Sequence, residues 1–361
     1  MSRISNRQLV IAFLACRLSS DMITLPAAMV RYGTERFYAI LIAKILLLAV
    51  YLPVIFFSLK YKGDSVITAA VRRNKAFGVI LGVIMTIIIT AVGVQTILSL
   101  QKYVTDTLLG TIMAWSGITV ITAAAVYGAV KGLSAVTRSA VFAAAVFILL
   151  IVLIAVTMWD KTETGYLYPA FINDGEYFLK CSLSEISMNS EVLIFAVITD
   201  EVRSKPHRTV LYYVPILLVL LEGLNLMYNL ILGPYMSEVN YPLYIISSLS
   251  DIVIFQRLDG IDAVVWLMCG VIKTAMLIYC VGKIYTVCSK KPRTNRFIML
   301  YGVFLIALCL IFGSDQTVYN RLNAVMNSGV HIIIGGITVP LAVLIAGKKA
   351  AGGKVKNDGK I

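Results

Sequence analysis

LVIAFLACRLSSDMITLPAAMV, Leu9 to Val30, and ISMNSEVLIFAVI, Ile186 to Ile198, are the two stretches on which the reading of this chain turns. Both are apolar enough to lie in a bilayer, and both are interrupted. The first carries Arg17, Ser19, Ser20 and Asp21, then Pro26; the second opens on Ser187, Asn189, Ser190 and Glu191. Polar groups at mid-membrane are costly unless they find partners or face a cavity. Interrupted helices at matching places in two halves of a chain point to a transporter-type binding site near the bilayer midplane.

The surrounding sequence supports a membrane setting. Of 361 residues, 59% are hydrophobic and 14% charged, against about 25% charged in an ordinary soluble domain. Ten spans are expected, near 8–30, 37–59, 77–99, 110–129, 139–159, 184–199, 209–233, 261–285, 297–313 and 328–347, each close to the ~20 residues that cross a bilayer. The first span has no small-residue cleavage site and reads as a retained helix. The expected class is therefore an all-α membrane protein of ten transmembrane helices, forming one permease domain over 1–347. Its halves, about 1–159 and 160–347, hold five spans each. An odd number per half forces them into inverted orientation.

The net charge of +13 invites a nucleic-acid reading, which its distribution excludes. With the N-terminus inside, 21 of the 32 cationic residues fall in inside segments and 7 outside. Arg17, Lys44, Lys273 and Lys283 lie within spans. That is the positive-inside pattern, with both termini cytoplasmic and 348–361 a basic cytoplasmic tail. The six cysteines show no paired spacing, so no disulfide and no metal site is expected. His207 and His331 read as interfacial polar residues. No phosphate loop and no nucleophile–histidine arrangement is present, which argues against an enzyme, and no cofactor is implied.

Leu232-Gly233-Pro234, Tyr241-Pro242, Phe255-Gln256-Arg257-Leu258-Asp259, Trp266 and Lys273 together resemble the GerAB-like spore germination permeases. So do Pro169, Asn173 and Gly175, Glu191, Pro340 and the start Ile4-Ser5-Asn6-Arg7-Gln8. These permeases are the B subunits of germinant receptors in endospore-forming bacteria, within the amino acid–polyamine–organocation superfamily. The resemblance spans essentially the whole chain. It implies a leucine-transporter-like five-plus-five inverted repeat with helices 1 and 6 broken. A small amino-acid-like germinant would bind between helices 1, 3, 6 and 8. The partners would be a larger A subunit and a C-subunit lipoprotein, and the site the inner membrane of the spore. Two departures fall at the breaks: Ser19-Ser20-Asp21 and Asn189-Ser190 stand where glycine is expected.

The candidate ligand-binding residues are Ser19, Ser20, Asp21, Ser187, Asn189, Ser190, Glu191 and Gln95, with Thr96 and Ser99 beside Gln95 on the third span. An unwound turn at Ser19 to Asp21 would offer free N–H groups to a carboxylate, with Asp21 or Glu191 near the amine. The competing reading of Asp21 is an i,i+4 pair with Arg17. That of Glu191 is a hydrogen bond to backbone freed at the break. Lys273, deep in the eighth span, reads as a fixed ammonium standing where related folds hold a sodium ion between helices 1 and 8. Lys44 and Glu222 are intramembrane charges with two open readings, partner contact or buried pairing. Three functions compete: a germinant-sensing receptor subunit, a proton-coupled amino acid permease, and a pore or scaffold subunit.

Overall fold

The computed structural model describes residues 4–23, 35–109, 114–167, 175–203, 205–250, 258–290 and 295–351. Pro26, Pro169, Asn173, Phe255 to Arg257 and the tail beyond residue 351 lie outside them. The described residues form a helical bundle. Its elements are α1 (Asn6–Ile23), α2 (Glu35–Lys60), α3 (Val66–Arg73), α4 (Lys75–Val104), α5 (Ala114–Lys131), α6 (Leu133–Thr157), α7 (Gly175–Ser187) and α8 (Glu191–Ile198). These are followed by α9 (His207–Leu232), α10 (Pro242–Ser248), α11 (Asp259–Ser289), α12 (Asn295–Gly313), α13 (Gln316–Asn327), α14 (Val330–Ile332) and α15 (Val339–Ala351), the last two joined by a π-helical turn over 333–338. Seven helical segments are long and apolar enough to cross a membrane, or eight if the pair Gln316–Asn327 and Val330–Ala346, bent by 52°, is one span. α1 and α5, 18 residues each, lie where the remaining two expected spans were placed. α1 carries Arg7, Arg17 and Asp21 within that length.

Burial separates the centre from the rim. Of the apolar window in the segment Gly175–Glu201, 89% is buried, and in α11 78%; in α12 the figure is 22%. A helix apolar all round and buried belongs in the middle of a bundle. α11 packs on α1, α4, α5 and α6, while α2 packs on α7 and α9. Phe13, Tyr51, Phe195 and Tyr213, from α1, α2, α8 and α9, meet edge to face with centroids 5.6–6.3 Å apart, an arrangement favoured by the ring quadrupole.

The two expected interruptions behave differently. At the second, α7 stops at Ser187 and α8 begins at Glu191, both within one apolar segment, Gly175–Glu201. Asn189 Nδ2 donates to the carbonyls of Glu185 (2.6 Å) and Ile186 (3.3 Å), occupying acceptors that the helix end leaves open. The first is not where the sequence placed it. α1 is helical through Ser19, Ser20 and Asp21 to Ile23. Ser19 Oγ donates to the Cys16 carbonyl at 2.9 Å, and Asp21 pairs with Arg17 one turn back at 3.6 Å. The polar residues are thus matched within the helix and nearby, without unwinding it. The sixth span also starts earlier than expected, at Gly175 rather than near 184, because the exposed Glu176–Lys180 pair of its first turns lowers the hydropathy there. Cys181 is fully buried beside Ala39 and Met188.

One buried cluster of charges ties α1, α2 and α7 together. Glu185 Oε1 accepts from both Arg17 Nη2 and Lys44 Nζ, and all three side chains are at most 1% exposed. Asp21 stands 3.6 Å from Arg17 and 3.7 Å from Arg36, also buried. Lys44 is thereby a paired residue. Glu222 on α9 is half-buried, with Glu185, Arg36 and Lys44 as its electrostatic neighbours.

Two outcomes follow from this packing. A Cβ at Gly78 would lie 2.5 Å from the backbone of Val71 in α3, whereas one at Gly260 meets nothing within 4 Å. Gly78→Ala should cost about 1–3 kcal/mol of stability through overpacking, read as a lowered Tm in detergent, while Gly260→Ala leaves Tm unchanged or raises it. Glu185→Ala leaves buried Lys44 without its anionic partner and Arg17 with only Asp21, and should cost about 3–5 kcal/mol. The triple apolar variant Arg17→Met, Lys44→Met, Glu185→Leu should recover most of that loss in the same measurement.

Candidate functional site

The interruption between α7 and α8 opens onto a cavity of about 40 Å³, on a scale where one water takes about 10–15 Å³. Its walls come from five places in the chain. α1 supplies Ser19 and Ser20, α4 supplies Val92, Gln95, Thr96 and Ser99, and the interruption supplies Ser187, Met188 and Ser190. Lys273 comes from α11, and Met326, Asn327 and His331 come from the bend between α13 and α14.

The lining is polar and largely self-matched. Gln95 Nε2 donates to Asn323 Oδ1 at 3.1 Å. Ser99 and Tyr319 share a hydrogen bond of 3.2 Å. Ser187 Oγ donates to the Ser184 carbonyl at 2.7 Å, and Thr96 to that of Val92 at 2.8 Å. Ser190 Oγ and His331 Nδ1 are buried without a hydrogen-bond partner. Lys273 is 4% exposed and donates to Ser20 Oγ, which ties α11 to α1 across the cavity.

Of the residues singled out in the sequence, Ser19, Ser20, Ser187, Ser190, Gln95 and Lys273 line the cavity. Three others do not. Asp21 sits in the ion pairs with Arg17 and Arg36. Asn189 caps α7. Glu191, wholly buried at the start of α8, has no hydrogen-bond partner at either carboxylate oxygen; it is the strongest electrostatic neighbour of Lys273 without forming an ion pair with it. Sequence reasoning missed Asn327 and His331. His331 was placed at a span end, but it lies where α13 gives way to α14 after Gly329, whose φ of +74° makes the turn. Gly329 next to a polar pair was the available signal.

Contacts gather at each end of α11, on either side of Lys273. At one end Tyr103 stacks on Trp266 at 4.4 Å, and Tyr241 and Tyr244 flank Tyr103 at 5.3 and 6.2 Å. Tyr241 donates to Asp106 at 2.8 Å and Tyr244 to the Thr107 carbonyl at 3.0 Å, holding α10 down. Burial, reinforced by Asp106, raises the Tyr241 phenol above its ordinary pKa, so it remains a donor. At the other end Lys283 pairs with Asp200 and with Glu201 (2.7 Å), and Tyr279 donates to Glu201 (2.7 Å). Ile4 adds backbone hydrogen bonds with Glu201 and Arg203.

Comparison with known proteins agrees with that geometry. The profile of a family described as spore germination protein, a family of permeases, matches residues 3–317. No curated protein matches the chain. Among solved structures, a Na+-coupled sialic acid symporter in a substrate-bound outward-open state aligns with a TM-score of 0.64 at 12% identity, over 93% of this chain and 79% of the symporter. At that identity the likeness concerns the fold alone, which is of the leucine-transporter type. Neither the family nor the fold is enzymatic. The chain belongs to the spore germination protein family and is a multi-pass membrane permease with a transporter fold.

Proposed function

We propose that this permease is the germinant-sensing B subunit of a spore germination receptor, binding a small amino-acid-like germinant in the cavity at the α7–α8 interruption. The observation that carries the reading is the cavity itself: a polar chamber whose walls come from α1, α4, α7, α11 and the α13–α14 bend. Ligand binding there would shift an equilibrium between arrangements of these helices, and larger A and lipoprotein C partners would read the shift. The setting is the inner membrane of the spore, with both termini cytoplasmic, as the 21-to-7 partition of cations supports. In this reading the spans form two inverted halves, 1–159 and 160–347, with the sixth span interrupted. Lys273 serves as a built-in cation linking α11 to α1.

A second reading, proton-coupled transport of the same ligand, is favoured by one observation. Glu191 is a fully buried carboxyl with both oxygens unpartnered, close behind the cavity. A sensor binds without net flux in proteoliposomes, whereas a permease moves ligand and acidifies the lumen together.

Filling the chamber tests the reading. Ser99→Phe places a ring against Tyr319 and into the cavity. It should abolish germinant-induced stabilisation of the purified chain and the germination response of spores carrying the partner subunits, at normal expression. A variant that responds at the wild-type germinant concentration would place the site elsewhere. Wild-type response should also be the same in sodium and in choline buffer; a sodium requirement would remove Lys273 from the cation role.

A further inference from the structure

We infer that the cavity selects for a carboxylate, with Lys273 as its anchor, and that it recognises a small monocarboxylate whether or not the ligand carries an amine. The inference rests on the cavity being the germinant site, and it concerns the ligand's charge.

Lys273 is the one residue with a fixed charge lining the cavity among the described residues. The remaining polar lining consists of serine and threonine hydroxyls, the amides of Gln95 and Asn327, and His331. No carboxylate lines the cavity among the described residues. The two carboxylates that the sequence offered to an amine are placed otherwise. Asp21 is between Arg17 and Arg36. Glu191 is wholly buried and outside the lining. An ammonium has three donors. Among the hydrogen bonds of the described residues, that of Lys273 has one acceptor, Ser20 Oγ.

The physics is that of an underpaired buried cation. At 4% exposure Lys273 has lost most of its hydration, and its nearest electrostatic neighbour, Glu191, forms no ion pair with it; a buried charge without a contacting counter-ion is unfavourable until one arrives. A ligand carboxylate supplies the missing charge and accepts charge-assisted hydrogen bonds. A cationic ligand would add like-charge repulsion at short range in a poorly screened site. The cavity of about 40 Å³ has room for roughly three waters, which favours a small ligand.

The test uses the purified full chain in detergent and four probes: L-alanine, propionate, lactate and L-alaninamide, each read by calorimetric titration. L-alanine, propionate and lactate should bind within about tenfold of one another. L-alaninamide, which keeps the amine and loses the carboxylate charge, should bind at least a hundredfold more weakly than L-alanine. Lys273→Met should lose propionate binding and Lys273→Arg should keep it. If Lys273→Met does not fold, the wild-type ratio of L-alaninamide to L-alanine decides alone. An L-alaninamide affinity equal to that of L-alanine, binding of L-alanine without propionate, or no binding of either carboxylate at saturating concentration would each overturn the inference. Propionate binding that survives Ser99→Phe would instead overturn the location of the site, which separates the two failures.

Discussion

Glu185 lies between Arg17 and Lys44, out of contact with solvent, and the arrangement of the central helices depends on that contact. Two cations on α1 and α2 converge on one carboxylate on α7. Removing Glu185 leaves Lys44 without its anionic partner and Arg17 with only Asp21, all of them buried. Replacing all three with apolar groups would remove those charges together, so the contact acts less as a source of stability than as a constraint on register. It fixes the end of α7 against α1 and α2, two residues before the helix stops at Ser187. Asp21 and Arg36 extend the same cluster towards the start of α2.

That constraint places the interruption. With α7 anchored at Glu185 and α8 enclosed by the ring cluster of Phe13, Tyr51, Phe195 and Tyr213, the residues between them are held opposite Ser19 and Ser20. Asn189 caps the helix end below. The chamber that results is polar because its walls are a helix end, a line of small hydroxyl residues and one ammonium. The two clusters, aromatic near one end of α11 and ionic near the other, are built from different elements, α10 with α4 and α11 in the first case and the 199–203 segment with α11 in the second. α11 contributes to both clusters and to the chamber through Lys273.

Much of this was readable in the residues. The Ser187 to Glu191 interruption could be read because serine, asparagine and glutamate together in an apolar run leave a membrane helix little choice but to break. Lys273 could be read because a lysine at mid-span is expensive. Ser19 to Asp21 misled for a related reason: the same polar density has two solutions, unwinding or local pairing. The choice of pairing depended on Arg17 and on Arg36, which is far enough away that no local pattern reports it. Glu185 went unremarked because it falls at the very start of the expected sixth span, 184–199, a boundary that the Glu176–Lys180 pair had shifted. The roles of Lys44 and Asn327 depend on contacts between distant parts of the chain, which spacing along the sequence does not encode.

The central claim is that the chamber at the α7–α8 interruption is where the small ligand sits. Anomalous diffraction from crystals of the full chain grown with 3-bromopropionate tests it most directly. The predicted result is a bromine peak inside the chamber, within reach of Ser20, Gln95, Ser187 and Lys273. A peak outside those walls, or no peak at a saturating concentration of the bromo compound, would contradict it.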